Sequence, residues 1–313
     1  MDAIDRTRAQ DAPGGSARAG GATLAGIEER KHRTLWRDAL RRMVQNRLAL
    51  GGLIAIILIS LLAIFASVIA PYPYATPDFT AINKGLGTSG HILGTDELGR
   101  DFLSRLIFGA QVSMLVGIGS QFIVLIIGVP VGAVAGYFAG TVDSLLMRFV
   151  DVAYAFPQLL FVILIMSWRG PGLTNIFVAI GITGWVTLAR LTRADFLTMR
   201  ERDFVLAARS VGAGPWRLIT RHMLPNALTP IIVTLTFGVP QAIFTEASLS
   251  FIGVGVTPPR PSWGQMVGQY FTYLQAYWFL AVLPAIAIAV VMLAFTFFGD
   301  GLRDALDPRM QQR

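Results

Sequence analysis

Few residues of this chain are able to do covalent chemistry, and none is spaced for it. The 313 residues include no cysteine, three histidines and two lysines, Lys31 and Lys84. Without thiols there are no disulfides, thiolate metal sites or sulfur nucleophiles. Neither lysine follows the glycines of a G-x-x-x-x-G-K-[ST] loop, so the chain has no such cradle for nucleotide phosphates. His32, His91 and His222 fall outside the apolar runs, which leaves no Ser–His pair within a membrane segment. Gly299-Asp300 ends an apolar run, but Phe297 stands where a G-x-G-D protease needs its first glycine.

The remaining candidates are polar groups that bind or transmit rather than react. Glu246, in Phe244-Thr-Glu-Ala-Ser, is a carboxylate deep in an apolar run. Such a group is costly in hydrocarbon and must face a cavity or a donor, so it either lines a solute pathway or makes a structural hydrogen bond. Arg148 and Asp151 are close enough in sequence to pair. So little intramembrane charge gives no ion site or proton relay of the kind secondary transporters use, and points to an external energy source.

Two clusters lie between apolar runs. In His91–Arg105, Thr95 reads as a helix cap, with Asp96 and Glu97 suited to the positive helix N-terminus. Asp96/Arg100 and Asp101/Arg105 are spaced as i,i+4 pairs, and Leu98, Phe102, Leu106 and Gly109 share a face. This predicts an interfacial helix that steers the chain into the next span or presents Asp96, Arg100, Asp101 and Arg105 to an external partner. The basic interlude from Arg200 to Pro225 reads as two short helices with a break. Asp203 caps the first and Gly212 ends it, while Pro215 opens the second and Pro225 stops it. Phe204, Ala207, Ala208 and Val211 fall on one face of the first helix, and Trp216, Ile219 and Met223 on one face of the second. Such an element suits docking to a soluble partner.

The elements that must position these groups are membrane helices. Hydrophobic residues make up 54% of the chain and charged residues 14%, too apolar for an ordinary soluble domain. Uncharged Leu48–Ala70 is long enough to cross the bilayer at about 1.5 Å per residue. Further runs cover Val112–Phe138, Val150–Trp168, Leu173–Ala189, Leu228–Val256 (interrupted by Pro240) and Phe279–Phe298, giving six predicted spans. An N-terminus inside places 21 of the 26 Lys and Arg on the cytosolic side, which supports N-in, C-in by the positive-inside rule. The net charge of +7 therefore needs no nucleic acid, since an anionic cytosolic leaflet attracts the same residues. Gly128, Gly132, Gly136 and Gly140 form a ridge without side chains that permits close helix approach. Residues 1–30, rich in Gly and Ala, are expected to be a disordered cytosolic tail. Residues 31–108 then form an anchor helix and external loop, and 109–313 a core containing the 200–225 loop.

Leu206-Ala-Ala-Arg-Ser-Val-Gly212, followed by Met223-Leu-Pro225, resembles the EAA loop of ABC importer permeases, with Leu206 where glutamate is usual and His222 where isoleucine is common. Leu93–Asp101, Ala247–Gly255 with Pro261-Ser-Trp-Gly264, and Gly299–Pro308 resemble the dipeptide/oligopeptide/nickel branch, in particular the second of its two permease subunits. The resemblance implies an all-α type I importer permease in the bacterial inner membrane, without a catalytic site. It implies a sister permease, two cytosolic ATPase subunits that bind ATP and Mg, and an external substrate-binding protein. The ATPase-coupling residues would be Asp203, Phe204, Leu206, Ala207, Ala208, Val211, Gly212, Trp216, Leu224 and Pro225. The expected substrate is a di- or oligopeptide, with nickel or another small solute as the alternative.

Overall fold

The computed structural model describes residues 43–306, so the expectation for the 1–30 tail lies outside the described residues. The regular elements are helices: α1 (Arg47–Ile64), its short continuation α2 (Ala66–Ile69), α3 (Phe102–Phe138), α4 (Gly140–Ala155), α5 (Gln158–Arg169), α6 (Leu173–Met199), α7 (Asp203–Ser210), α8 (Pro215–Phe251), α9 (Trp263–Tyr270) and α10 (Trp278–Leu306). α1, α3, α6, α8 and α10 are long and apolar enough to cross a membrane, and α4 with α5 makes a sixth crossing if the bent pair counts as one. The protein is therefore an all-α membrane-spanning bundle.

Three expectations about these spans change. Val150–Trp168 is not one straight helix: α4 and α5 meet at 83°. Pro157 lacks an N–H and disfavours helical geometry at Phe156, whose ψ is 129°. The helix of the fourth span does not stop at Ala189 but runs to Met199, because its arginines find partners. Arg190 Nη2 lies 2.6 Å from Asp151 Oδ1, and Arg193 donates to both oxygens of Asp143 at 2.5 and 2.7 Å. Asp151 thus pairs across helices with Arg190 rather than with Arg148. The helix of the fifth span starts at Pro215, ahead of the apolar run, keeps Pro240 inside and ends at Phe251.

The glycine ridge does what its spacing predicts at three positions. A Cβ at Gly128, Gly132 or Gly136 would meet α6 backbone or Cβ atoms around Trp185, Ala189 and Arg193. Bare glycine lets α3 and α6 touch along their length. Gly140 lies beyond this contact, in open space with φ +58°.

The two ends of the bundle differ. One carries the 70–101 segment and α9, with Phe102, Met266, Tyr270, Phe279 and Leu280 packed together. The other carries α7 and the start of α8, seated on Val129, Ala133, Leu188 and Phe196 of α3 and α6.

Candidate functional site

The α7 hairpin is anchored on one side and bare on the other. Val205, Leu218, Ile219 and Met223 are buried in the cluster that also holds α3 and α6. Phe204, Leu206, Val211 and Trp216 remain 42, 43, 85 and 65% exposed. Gly212 ends α7 with φ +85° and donates its N–H to Arg209 O at 3.0 Å, as its left-handed role requires.

Three details of the hairpin depart from the sequence reading. Asp203 is the first helical residue and caps nothing; the N-cap position belongs to Arg202, without a side-chain bond. Trp216 separates from Ile219 and Met223 because Leu218–Met223 is a π-turn, whose wider repeat rotates the tryptophan off their face. Pro225 does not stop the helix. It falls in the first turn of the α-helical segment after the π-turn, where a missing N–H is tolerated. Ala207 is exposed, while Ala208 and Leu224 pack partly against the anchored face.

At the opposite end, the His91–Arg105 cluster is not a helix from Thr95. α3 begins at Phe102, and Asp101 is its cap, accepting from Ser104 N and Ser104 Oγ at 2.7 Å. His91 Nδ1 lies 3.0 Å from the other oxygen of Asp101. Thr95 donates to Ala81 O and accepts from Lys84 N, so it ties the preceding loop instead of capping a helix. Asp96 is the centre: it accepts from Leu98 N and Arg100 N at 2.9 Å, Arg100 Nε at 2.7 Å and Tyr270 Oη at 2.9 Å. Arg105 Nε stands 3.4 Å from the same carboxylate. Asp101 and Arg105 are not an ion pair, since the guanidinium turns to Asp96 and to Tyr74 O. Gln269 of α9 donates to Glu97, a second tie from that helix. Burial pushes the Tyr270 hydroxyl well above its ordinary pKa, which keeps it a donor to Asp96.

Asp96, Arg100, Asp101 and Arg105 are 0, 4, 3 and 0% exposed. This corrects the expectation that they present a contact surface. Charges taken out of water in this way are stable only against one another, so the guanidinium–carboxylate cluster fixes the loop and α9 from within. A partner at this end would meet the residues outside it.

Glu246 does not line an opening. It is 0% exposed and is met by three hydroxyls, Ser250 Oγ and Ser262 Oγ at 2.7 Å and Ser113 Oγ at 3.4 Å. Ser113 belongs to α3, Ser250 to α8, and Ser262 is the N-cap of α9. The carboxylate therefore joins three elements, which favours the structural alternative. Sequence reasoning did not assign these serines or Tyr270 a role, although two of the blocks it singled out hold Ser250 and Ser262: Ser262 caps α9, and beside it Trp263 Nε1 donates to Leu106 O at 3.0 Å. Glu246→Gln, which can still accept from a serine, is expected to leave abundance in the membrane nearly unchanged. Glu246→Leu is expected to lower it clearly, as each stranded hydroxyl costs about 1–3 kcal/mol. Quantitative blotting of membranes checks this, and equal abundance of the Leu variant would contradict the structural role.

Fold and site together define a class: a multi-pass helical membrane protein with a buried ionic clamp at one end and a half-bare helical hairpin at the other. A profile described as binding-protein-dependent transport system inner membrane component matches residues 128–312. One described as the N-terminal TM domain of oligopeptide transport permease C matches 34–85. The chain belongs to this family of binding-protein-dependent transport permeases. It is 42% identical to the oligopeptide transport system permease protein OppC of Bacillus subtilis over 283 residues, 90% of this chain and 92% of that one. The dipeptide transport system permease protein DppC of the same organism is 41% identical, covering 88% and 86%. The glutathione transport system permease protein GsiD of Pectobacterium atrosepticum is 37% identical, covering 93% and 96%. Among solved structures, a chain of the MetNI methionine ABC transporter in an inward-facing form superposes with a TM-score of 0.56 at 18% identity, covering 66% of this chain and 97% of that one. That likeness concerns the fold.

Proposed function

We propose that this chain is a transmembrane subunit of an ATP-driven importer of di- or oligopeptides, forming the pathway with a sister permease. The observation that carries this reading is the nearly full-length likeness to permeases whose names specify oligopeptide, dipeptide and glutathione transport. Those names give the nickel alternative no specific support.

In this reading the chain lies in the bacterial cytoplasmic membrane with both termini in the cytosol. The α7 hairpin then faces the cytosol, and the 70–101 loop with α9 faces outward, toward a substrate-binding protein. Two ATPase subunits hold ATP and Mg and grip the exposed Phe204, Leu206, Val211 and Trp216. Closure of the ATPase pair pulls the hairpin. Its anchored face moves with it, and Val205, Ile219 and Met223 press directly on α3 and α6. The chain needs no chemistry of its own; it supplies a bundle with two packings and a lever between them. The likeness to an N-terminal domain over 34–85 and to the transport component over 128–312 supports dividing the chain into anchor with loop (31–108) and core (109–313).

The test is peptide uptake into proteoliposomes containing this chain, its sister permease, the ATPases and the binding protein. ATP-dependent uptake of a di- or tripeptide is expected, and nickel uptake without peptide uptake would overturn the assignment. Orientation has its own test. A reporter active only in the cytosol should work when fused between residues 195 and 220 and fail near 85 and 262. Activity at 85 would reverse the topology.

A further inference from the structure

A cavity of about 390 Å³, open to the surface beside the exposed Gln241, lies between four helices of the bundle, and its polar lining carries no charge. Gln121, Gln158 and Gln241 contribute side-chain amides, and Thr187 and Thr234 hydroxyls. They come from α3, α5, α8 and α6. Gln121 and Thr234 lie at the midpoints of 37-residue helices and Thr187 near the midpoint of a 27-residue one, so the cavity lies between the two ends of the bundle, along the apolar part of its helices. Gln121 Nε2 donates to Gly238 O at 3.0 Å and to Ser120 Oγ at 3.3 Å, which leaves its Oε1 as an acceptor; Gln158 Nε2 reaches Thr183 Oγ1 at 3.4 Å and keeps a second N–H and its Oε1; Thr234 donates to Pro230 O at 2.8 Å and can still accept. Gln241 is exposed and makes no side-chain hydrogen bond among the described residues.

Amides at this depth are not stable against hydrocarbon; they must meet water, protein or a solute. A second observation agrees. The break between α4 and α5 opens on the same place, because Gln158, Gly184 and Thr187 also line an adjoining cavity of about 220 Å³ walled by Phe156 and Pro157. A helix broken at membrane depth is tolerated where it lines a cavity, and such breaks recur at solute sites. The volume falls within the range of small-ligand sites, roughly 300–1,000 Å³.

We propose that Gln121, Gln158 and Gln241, with Thr187 and Thr234, form the passage for a peptide's main chain, meeting its amide groups and ignoring its side chains. A carboxamide offers both a donor and an acceptor, the complement of a peptide C=O and N–H. The absence of charge from the lining means that neither acidic nor basic side chains are trapped on the way through. The passage replaces Glu246, which serine hydroxyls hold out of reach. This inference rests on the peptide-importer reading and names the residues that would carry it out.

The test uses the complete importer in proteoliposomes. Uptake of Ala-Lys-Ala and Ala-Asp-Ala is measured for each variant as a ratio relative to the unmodified complex, which cancels the preference of the binding protein. Gln241→Glu is expected to shift this ratio at least about fivefold toward the lysine peptide and Gln241→Lys at least about fivefold the other way. Unchanged ratios and rates in both variants would overturn the passage. Failure of the unmodified complex to take up either peptide would instead refute the peptide reading. A separate arm does not depend on the substrate. The chain lacks cysteine, so Gln241→Cys creates a single thiol. A charged, water-soluble thiol reagent should label it in the assembled complex, as read from the mass of this chain. No labelling during ATP turnover would also overturn the proposal.

Discussion

Replacing Asp96 with alanine is expected to remove most of the folded protein from the membrane. The carboxylate is wholly buried and is the shared counter-ion of Arg100 and Arg105, at 2.7 and 3.4 Å. It also receives the Tyr270 hydroxyl, so one side chain joins the 70–101 segment to α9. Its loss leaves Arg100 with Glu97 at 3.6 Å as its remaining carboxylate, Arg105 with Tyr74 O alone, and the Tyr270 phenol without its acceptor, all in a desolvated place. Breaking a buried pair by removing one member costs about 3–5 kcal/mol, a large part of the 5–15 kcal/mol that keeps a typical protein folded. Asp96→Asn keeps acceptors for the turn N–H groups but not the charge, and should be intermediate. Thermal unfolding of the purified chain in detergent, together with its abundance in membranes, reads the effect. An unchanged midpoint for the alanine variant would show that the ionic cluster does not hold this end together.

Gly212→Pro is expected to uncouple transport without preventing insertion. Two features forbid proline here. The φ of +85° is far from the value near −65° that its ring imposes, and the Gly212 N–H is in use as a donor to Arg209 O. A proline in conflict with its backbone destabilises by more than about 1 kcal/mol, so the turn must rearrange to admit it. The spans lie outside the turn, so the chain still enters the membrane. Uptake and peptide-stimulated ATP hydrolysis by the assembled importer should both fall at least about tenfold, while abundance stays near normal. Normal uptake would exclude the hairpin as the point where work enters.

The sequence made some parts of this account legible and concealed others for physical reasons. Apolar runs revealed the spans because each helix must satisfy its backbone internally in lipid. Gly128, Gly132 and Gly136 showed a close contact in advance, since only backbone without side chains allows it. The helix boundary at Ala189 differs because charged residues look like an end until their partners, Asp143 and Asp151 in another helix, are known, and the one at Leu228 because Pro225 looks like a stop although it sits where a missing N–H is tolerated. Asp96 and Arg100 looked like a helical pair because i,i+4 spacing does not distinguish a helix from a tight loop that closes on one carboxylate. Glu246 reads in the sequence as a lone charge because its three serines lie up to 133 residues away. The glutamine cavity is hidden for a similar reason: scattered neutral amides leave no mark until four helices bring them together.

The measurement that most directly tests the central claim, that energy enters through the α7 hairpin from separate ATPase subunits, is a site-specific cross-link. With no native cysteine in the chain, Val211→Cys places one thiol on the most exposed of the hairpin's large apolar residues, which is 85% accessible. In the assembled importer a short thiol cross-linker should join it to an ATPase subunit, with a yield that changes between nucleotide-free and ATP-bound states, and the linked complex should no longer transport peptide. A thiol at Val211 that never links to an ATPase subunit, or a linked complex that transports at the normal rate, would contradict the account.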